Sequence, residues 1–319
     1  MNNVSEIKRQ DNFEQAIPLS SYVKHYLQYL EYIGYSTETI NGHRLSLKRF
    51  THWCLERNIE TPNGITKPVI EAYQRALFYF RKQNGKPLAK DTQNKTLIII
   101  RTFMKWLVRE NHLPFNPADQ IELARIPRRL PRRHLSRSEI GSLFDVPDIT
   151  TPLGIRDRAI LETFYSTGMR RNELAYLREG DVDFNEGIIY IQHGSKGGHQ
   201  RIVPIGDHAL AWVEKYYLEV RPMFVAGEDE GVLFLYDNGE AFVKSRLSAL
   251  VKRLMVKAKI DKEGSCHLLR HSCASHLLES GMDIRLIQQL LGHSKTDTTS
   301  IYAKVSIGHL KKIHQELQL

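Results

Sequence analysis

The chain has 319 residues, 41% hydrophobic and 25% charged, a balance that suits a globular protein large enough for two domains. Its longest aliphatic run, Leu97-Ile98-Ile99-Ile100, falls far short of the roughly 20 apolar residues of a membrane span, and the polar opening MNNVSEIKRQ carries no secretory apolar segment. Three cysteines, Cys54, Cys266 and Cys273, exclude a fully paired disulfide framework, show no zinc-type Cys/His spacing and suit a reducing cytoplasm. The formal charge is +9, and it is uneven: residues 1–110 hold 17 basic and 10 acidic side chains, residues 141–319 hold 22 and 23. A basic amino-terminal part beside a neutral remainder points to a polyanion-gripping module joined to something else.

From Ile17 to His112 the pattern is helical. Tyr22, Tyr26, Leu27, Leu30 and Ile33 recur at three- and four-residue steps, and Leu45, Leu47, Phe50, Trp53 and Cys54 do so more loosely. Gly34 ends the first helix, and Ser36 or Thr37 caps the next. Pro68 fits the first turn of a third helix running through Tyr73, Leu77 and Phe80. A fourth covers Asp91 to Glu110, with Leu97, Ile100, Phe103, Met104 and Leu107 on its apolar face. Arg44, Lys48, Lys90, Lys95, Arg101 and Lys105 sit between the apolar positions. Four helices with cations on their open faces predict a compact bundle that straddles a duplex.

Residues 113–137 hold Pro114, Pro117, Pro127 and Pro131, which forbid continuous helix. Arg128, Arg129, Arg132 and Arg133 flank the last of these. A solvated charge run is the bland reading. On an extended connection between domains, contact with a phosphate backbone is the better one.

From Leu135 the pattern is mainly helical with one small sheet. Residues 187–192 and 201–205 read as strands around the loop His193 to His199, a hairpin with Lys196 at its tip. Helices resume over His208–Val220, Val243–Ala258, His267–Ser280, Asp283–Leu291 and from about Asp297 onward. Gly168 closes one helix, with arginines at the start of the next, and Gly292 ends another, leaving His293 at its mouth. Residues 166–174, Lys196, His267-Leu268-Leu269-Arg270-His271, Leu290 to Ser294 and Thr298 to Tyr302 together form a set of cations and donors with one tyrosine. There is no obvious carboxylate pair for magnesium. His267 and Arg270, three apart, share a helix face. Arginines grip phosphate oxygens bidentately, and a metal-free phosphoryl-transfer site needs cations, an acid and an in-line nucleophile.

These segments resemble the tyrosine recombinases of the lambda-integrase family, closest to the Xer type. The family pattern Arg, Lys, His-x-x-Arg, His/Trp and Tyr is filled in order by Arg170, Lys196, His267, Arg270, His293 and Tyr302. Met169 stands where leucine is usual, His199 where a second lysine often sits, and Ser275 where threonine is frequent. The resemblance implies a mainly α fold with a small β-sheet. A helical core-binding, SAM-like domain over 15–112, a basic Pro/Arg linker over 113–134 and a mixed α+β catalytic domain over 135–319 would clamp DNA. It implies Tyr302 as the nucleophile forming a 3′-phosphotyrosyl link, with Arg170 and Arg270 on the non-bridging oxygens. His267 and His293 would be donors, and Lys196 the acid for the departing 5′-oxygen. No cofactor and no metal are expected. The partners implied are double-stranded sites with inverted half-sites and a tetramer of this chain or of it with a related recombinase.

Each assignment has a blander counterpart. Tyr302 alone reads as a packed helix tyrosine and Lys196 as a solvated hairpin tip. Arg171 competes with Arg170, although the Gly-x-Arg register favours Arg170, and Glu173 reads as a support or cap for the arginine. His267, His271 and His276 suggest a metal site only weakly, because no glutamate follows His267 as a zincin motif requires; His271 reads better as a structural or supporting donor. Ile307, Leu310, Ile313 and Leu317 form an apolar stripe opposite Lys311 and Lys312, which the resemblance makes a docking helix for a neighbouring protomer. The competing functions are a type IB topoisomerase, a catalytically silent DNA-binding regulator, a metal-dependent nuclease and a structural interaction protein. The short polar start leans away from integrases with an arm-binding extension.

Overall fold

The computed structural model describes residues 17–126, 134–194 and 200–292. These residues form two compact units, one within 1–130 and one within 131–319, each with its own apolar core.

The first unit is four helices: α1 (Leu19–Tyr32), α2 (Thr37–Leu55), α3 (Lys67–Tyr79) and α4 (Lys90–Arg109), with a 3₁₀ turn at Pro62–Gly64. The end signals act as the sequence predicts. Gly34 takes φ +80°, and the Ser36 hydroxyl accepts the Thr39 N–H to cap α2. Pro68 lies in the first turn of α3, where its missing N–H costs nothing. One stripe of each helix turns inward: Val23, Tyr26 and Leu30; Leu47, Phe50 and Cys54; Ile70, Tyr73 and Leu77; Ile100, Phe103, Met104 and Leu107. Leu45, read as part of the α2 stripe, instead faces solvent at 65% exposure, because Ile40, Leu47 and Phe50 already fill the inward side.

The second unit opens with α5 (Arg137–Phe144), started by a Ser136/Glu139 capping box. There follow α6 (Pro152–Thr167), the helix that Gly168 closes, then the short α7 (Arg171–Ala175). Strands β1 (Val182–Asp183), β2 (Ile188–Ile191) and β3 (Arg201–Pro204) make an antiparallel sheet in that order, with Ile191 opposite Arg201. Next come α8 (Asp207–Lys215), a π turn at Tyr216–Val220 and α9 (Arg221–Phe224). The helical path thus continues to Phe224 and not only to Val220; Pro222 has no N–H to continue the regular ladder, and the π turn shifts the register just before it. Then come α10 (Lys244–Lys257), α11 (Cys266–Glu279) and α12 (Ile284–Leu291). Helix α6 is central, packing on α8 and α11, and α11 packs in turn on α12. No helix among the described residues is long and apolar enough to cross a membrane.

Candidate active site

Five chain segments of the second unit meet at the carboxy-terminal end of α12. The last carbonyls of a helix have no intrahelical partner and carry the negative end of its dipole. Here three consecutive carbonyls are taken up by three arginines from different elements. Arg201 Nε donates to Leu290 O at 3.0 Å, Arg270 Nη2 to Leu291 O at 2.7 Å, and Arg170 Nη2 to Gly292 O at 2.6 Å. Arg270 also donates through Nη1 to Gly168 O at 2.6 Å, tying α11 to the turn before Arg170.

Two glycines make the turns. Gly168 caps α6 at φ +59°, and a Cβ there would lie 2.7 Å from Leu291 Cδ2, so glycine serves both the left-handed backbone and the close approach of α12. Gly292 takes φ +63°, ends α12 and packs against the Arg201 side chain.

Glu173 holds the arginines from behind. Its backbone belongs to α7, its side chain is wholly buried, and both oxygens are shared. Oε2 accepts the Arg170 backbone N–H at 2.7 Å, and Oε1 the Arg170 Nη1 at 2.8 Å. Arg201 completes the group with a bidentate pair at 2.7 and 2.8 Å. Burial alone would raise this carboxyl, but hydrogen bonds and charge from Arg201, with Arg170 added, hold it below the usual glutamate range. Arg170 and Arg201 bond this carboxylate, and Arg270, held by backbone carbonyls, lies close enough to feel all three charges, so the cluster has an excess of two positive charges. At Arg270 burial first, and the Arg170 charge second, push the pKa down to about 10, and it remains a cation at neutral pH.

The neighbouring arginine has a separate partner. Arg171 Nη1 donates to Ser248 Oγ on α10 at 2.7 Å. His267 sits on an exposed face of the first turn of α11, three residues before Arg270. Lys196, His293 and Tyr302 lie outside the described residues, and so do Arg128, Arg129, Arg132, Arg133 and the stripe from Ile307 to Leu317. Their flanks are described. Asn172 Nδ2 on α7 donates to Gly194 O at 2.7 Å, two residues before Lys196, and a Cβ on Gly194 would lie 2.5 Å from Asn172 O. The Gly292 carbonyl gripped by Arg170 immediately precedes His293.

Of the six cations expected on open faces of the first unit, Arg44, Lys48, Lys90, Lys95 and Lys105 are exposed. Lys95 pairs with Asp91 at 2.6 Å, and Arg44 Nη1 donates to Asn41 Oδ1. Arg101 does not stand on an open face: it is half-buried, and its guanidinium ties the 113–126 segment onto α4 through Ala118 O at 2.9 Å and Ile121 O at 2.5 Å. Its position on α4 looks outward only while that segment is ignored. Sequence reasoning gave no role to Arg201 or Asn172. A lone arginine opening a strand, or an asparagine in a short helix, has no periodicity to betray it.

This geometry has relatives. A family model described as the phage integrase family matches residues 133–309, and one described as the phage integrase N-terminal SAM-like domain matches residues 23–111. The chain belongs to the phage integrase family and is a tyrosine site-specific recombinase. Within that class it is most similar to the Xer type. It is 45% identical to tyrosine recombinase XerC 2 of Ralstonia nicotianae, over 93% of this chain and 85% of that one. It is 31% identical to XerD of the same organism over 89% of each chain. Its fold also matches lambda integrase, solved as a tetramer bound to a Holliday junction, with a TM-score of 0.66 at 19% identity over 90% of this chain and 77% of that one.

Proposed function

We propose that this recombinase cuts and rejoins double-stranded DNA at sites with inverted half-sites, through Tyr302 and the cation cluster built on Glu173. The observation that carries the reading is the Arg170–Arg270 pair: two guanidiniums, one from the residue before α7 and one from α11, both fixed to the turn before His293, with positive charge in excess. Such a cluster is stabilised by a phosphate whose non-bridging oxygens gain charge in the transition state. Tyr302 Oη attacks phosphorus, the bond to the 5′-oxygen breaks, and a 3′-phosphotyrosyl link forms. Lys196 delivers a proton to the leaving 5′-oxygen, while His267 and His293 hydrogen-bond the phosphate or help remove the tyrosine proton. The link conserves the phosphodiester energy, so a 5′-hydroxyl from the partner strand religates without ATP, passing through a Holliday junction.

The domain assignment proposed with this is a DNA-binding bundle over 15–112, a basic linker over 113–134 and a catalytic domain over 135–319. Arg44, Lys48, Lys90, Lys95, Lys105 and the linker arginines would contact phosphates, with Arg101 assigned to the fold. Lambda integrase crystallised as a tetramer on a junction, which supports a tetramer on two paired sites, of this chain or of it with a related recombinase, in the cytoplasm.

The test is direct. Wild type and Tyr302→Phe are incubated with fragments of the source genome, and protein–DNA adducts are isolated that survive detergent and vanish on proteolysis. Adducts from wild type alone, with a common sequence at the attached ends, are the expected result. DNA binding without adducts would favour a silent DNA-binding regulator. Relaxation of supercoiled DNA without exchange would favour a type IB topoisomerase.

A further inference from the structure

The second unit carries a further cluster of donors away from the arginines. His276 and Glu279 lie three apart on the last turns of α11 and so share a face. His134, the first described residue of the second unit, meets them from the far end of the chain segment. His134 Nε2 lies 3.1 Å from Glu279 Oε1, and the His134 and His276 rings meet edge-on with centroids 5.3 Å apart. One ligand atom from each of the three falls within 4.8 Å of the others. It is the only such group among the described residues.

We propose that His134, His276 and Glu279 bind a divalent transition-metal ion, zinc in the first instance, which fastens the start of the second unit to α11. The donor set is two imidazoles and one carboxylate, suited to zinc and unsuited to magnesium, which prefers an all-oxygen shell. Ligand atoms around tetrahedral zinc stand about 3.4 Å apart for bonds of roughly 2.1 Å. The His134–Glu279 edge already has that length. The other two edges, both to the buried His276, are within 4.8 Å, and movement of the partly exposed His134 and the exposed Glu279 would close them. Tyr165 on α6 fixes the buried ring: its hydroxyl is 2.9 Å from His276 Nδ1, and the ring also hydrogen-bonds the Leu135 backbone, a contact that an ion on Nε2 would replace. A partner on the second ring nitrogen is the usual companion of a metal-bound histidine. The ion would also face the carboxy-terminal end of α11, where the helix dipole favours a cation. One opposing charge is near: Arg137 donates to Ser280 Oγ at 2.7 Å, which directs its guanidinium to the helix end. Two further ties already hold the same junction, Leu135 N–H on Ser272 Oγ at 2.8 Å and Lys262 Nζ on His134 O at 2.8 Å. An ion would therefore tighten an existing mooring on the helix that carries His267 and Arg270, without touching the phosphate chemistry.

The experiment uses the full chain, stripped with chelator and desalted, titrated with zinc alone in competition with a chromophoric chelator. The expected result is one equivalent bound and a melting temperature raised by about 5 °C at a hundredfold excess over Kd. His134→Gln and Glu279→Gln, changes on the accessible side of the cluster, should each weaken binding at least tenfold. Tyr165→Phe should weaken it less. Cobalt in place of zinc should give visible absorption bands that the His134→Gln variant lacks. No saturable binding by the wild type would overturn the proposal. Binding that both accessible-side variants retain unchanged would overturn it equally, leaving His134 and Glu279 as a simple ion pair. Because the readouts are binding, melting and colour, the outcome is independent of whether DNA is cleaved.

Discussion

The two units solve the problem of carrying charge in opposite ways. In the first, the described charged side chains stay out of the core, and its buried polar groups, Gln93, Asn94 and Thr96, are neutral. In the second, Arg156, Asp157, Glu162, Glu173, Asp181 and Arg221 are all buried. Each has partners: Arg156 pairs with Asp157 at 2.7 Å, Arg158 with Glu162 at 2.8 Å, and Arg221 with Asp229 at 2.8 Å. A bundle held by apolar stripes leaves its cations at the surface, where their pairs, such as Lys95 with Asp91, are exposed. A cluster that holds Arg170 and Arg201 in fixed places has the buried Glu173 anion behind them, and on the proposed function that anion would tie stability to catalysis.

The sharpest way to break the comparison is Glu173→Gln. It keeps the shape but leaves the partly buried Arg170 and Arg201 without their counter-charge, a loss of up to about 3 kcal/mol, the lower end for breaking a buried pair. Urea unfolding followed by circular dichroism measures it, and adduct formation should fall with it. Asp91→Asn, which removes the exposed partner of Lys95, should change stability by less than about 0.5 kcal/mol. Equal effects from the two substitutions would remove the distinction between the units.

Gly168→Ala tests the backbone part of the same site. Alanine at φ +59° is strained, and its Cβ would press on Leu291 at 2.7 Å, so a loss of about 1–3 kcal/mol is expected. The shift would also move Leu291 O away from Arg270, so adduct formation should fall further than stability alone explains. Unchanged adduct yield in the folded variant would mean that α12 does not set the position of Arg270.

Within the first unit, Arg101 and Lys48 separate the structural cation from the free one. Arg101→Gln loses two charge-assisted bonds to Ala118 and Ile121, about 1–2 kcal/mol in unfolding, and should leave the salt dependence of DNA binding alone. Lys48→Gln should leave stability within about 0.5 kcal/mol and lower the slope of log K against log salt by about 0.9, one phosphate contact. The reverse pattern would make Arg101 the DNA contact after all.

How much of this was legible follows from the same contrast. The first unit's helices announce themselves because Tyr26, Phe50, Tyr73 and Phe103 recur on one face and polar residues fill the other. Helix α6 does not, because it is buried on nearly every side and three of its four charged residues, Arg156, Asp157 and Glu162, are buried too. Arg156 sits against the rings of Phe224, Tyr236 and Phe242 at 4.9 to 5.7 Å, a cage supplied by residues 224–242, roughly 70 to 90 positions further along the chain. The arginine, histidine and tyrosine pattern was readable because its local boxes are dense. Arg201 and the meeting of His134 with His276 were not, since each depends on contacts between distant segments of the chain. The His276-x-x-Glu279 half of that cluster stood in the sequence, but nothing there pointed to His134 as its third member.

The smallest expected effect concerns acid. Burial lowers the pKa of His43 from 6.5, and the groups around its ring are the Tyr26 hydroxyl at 3.1 Å and the Tyr35 ring. The folded first unit therefore resists protonation that the unfolded chain accepts. Its stability should be complete above about pH 6.5 and decline as pH falls from there toward the folded value. Glu173 behaves differently: its folded pKa lies below 4.5, so the second unit keeps that contribution until pH falls through the glutamate range. Of the three tryptophans, Trp53 and Trp106 lie in the first unit and Trp212 in the second, so Trp212→Phe makes fluorescence report the first unit in the intact chain. In that background the midpoint in urea should fall between pH 6.5 and 5, and His43→Gln should flatten the fall. A slope that survives His43→Gln would place the sensitive group elsewhere and leave the two units alike in acid.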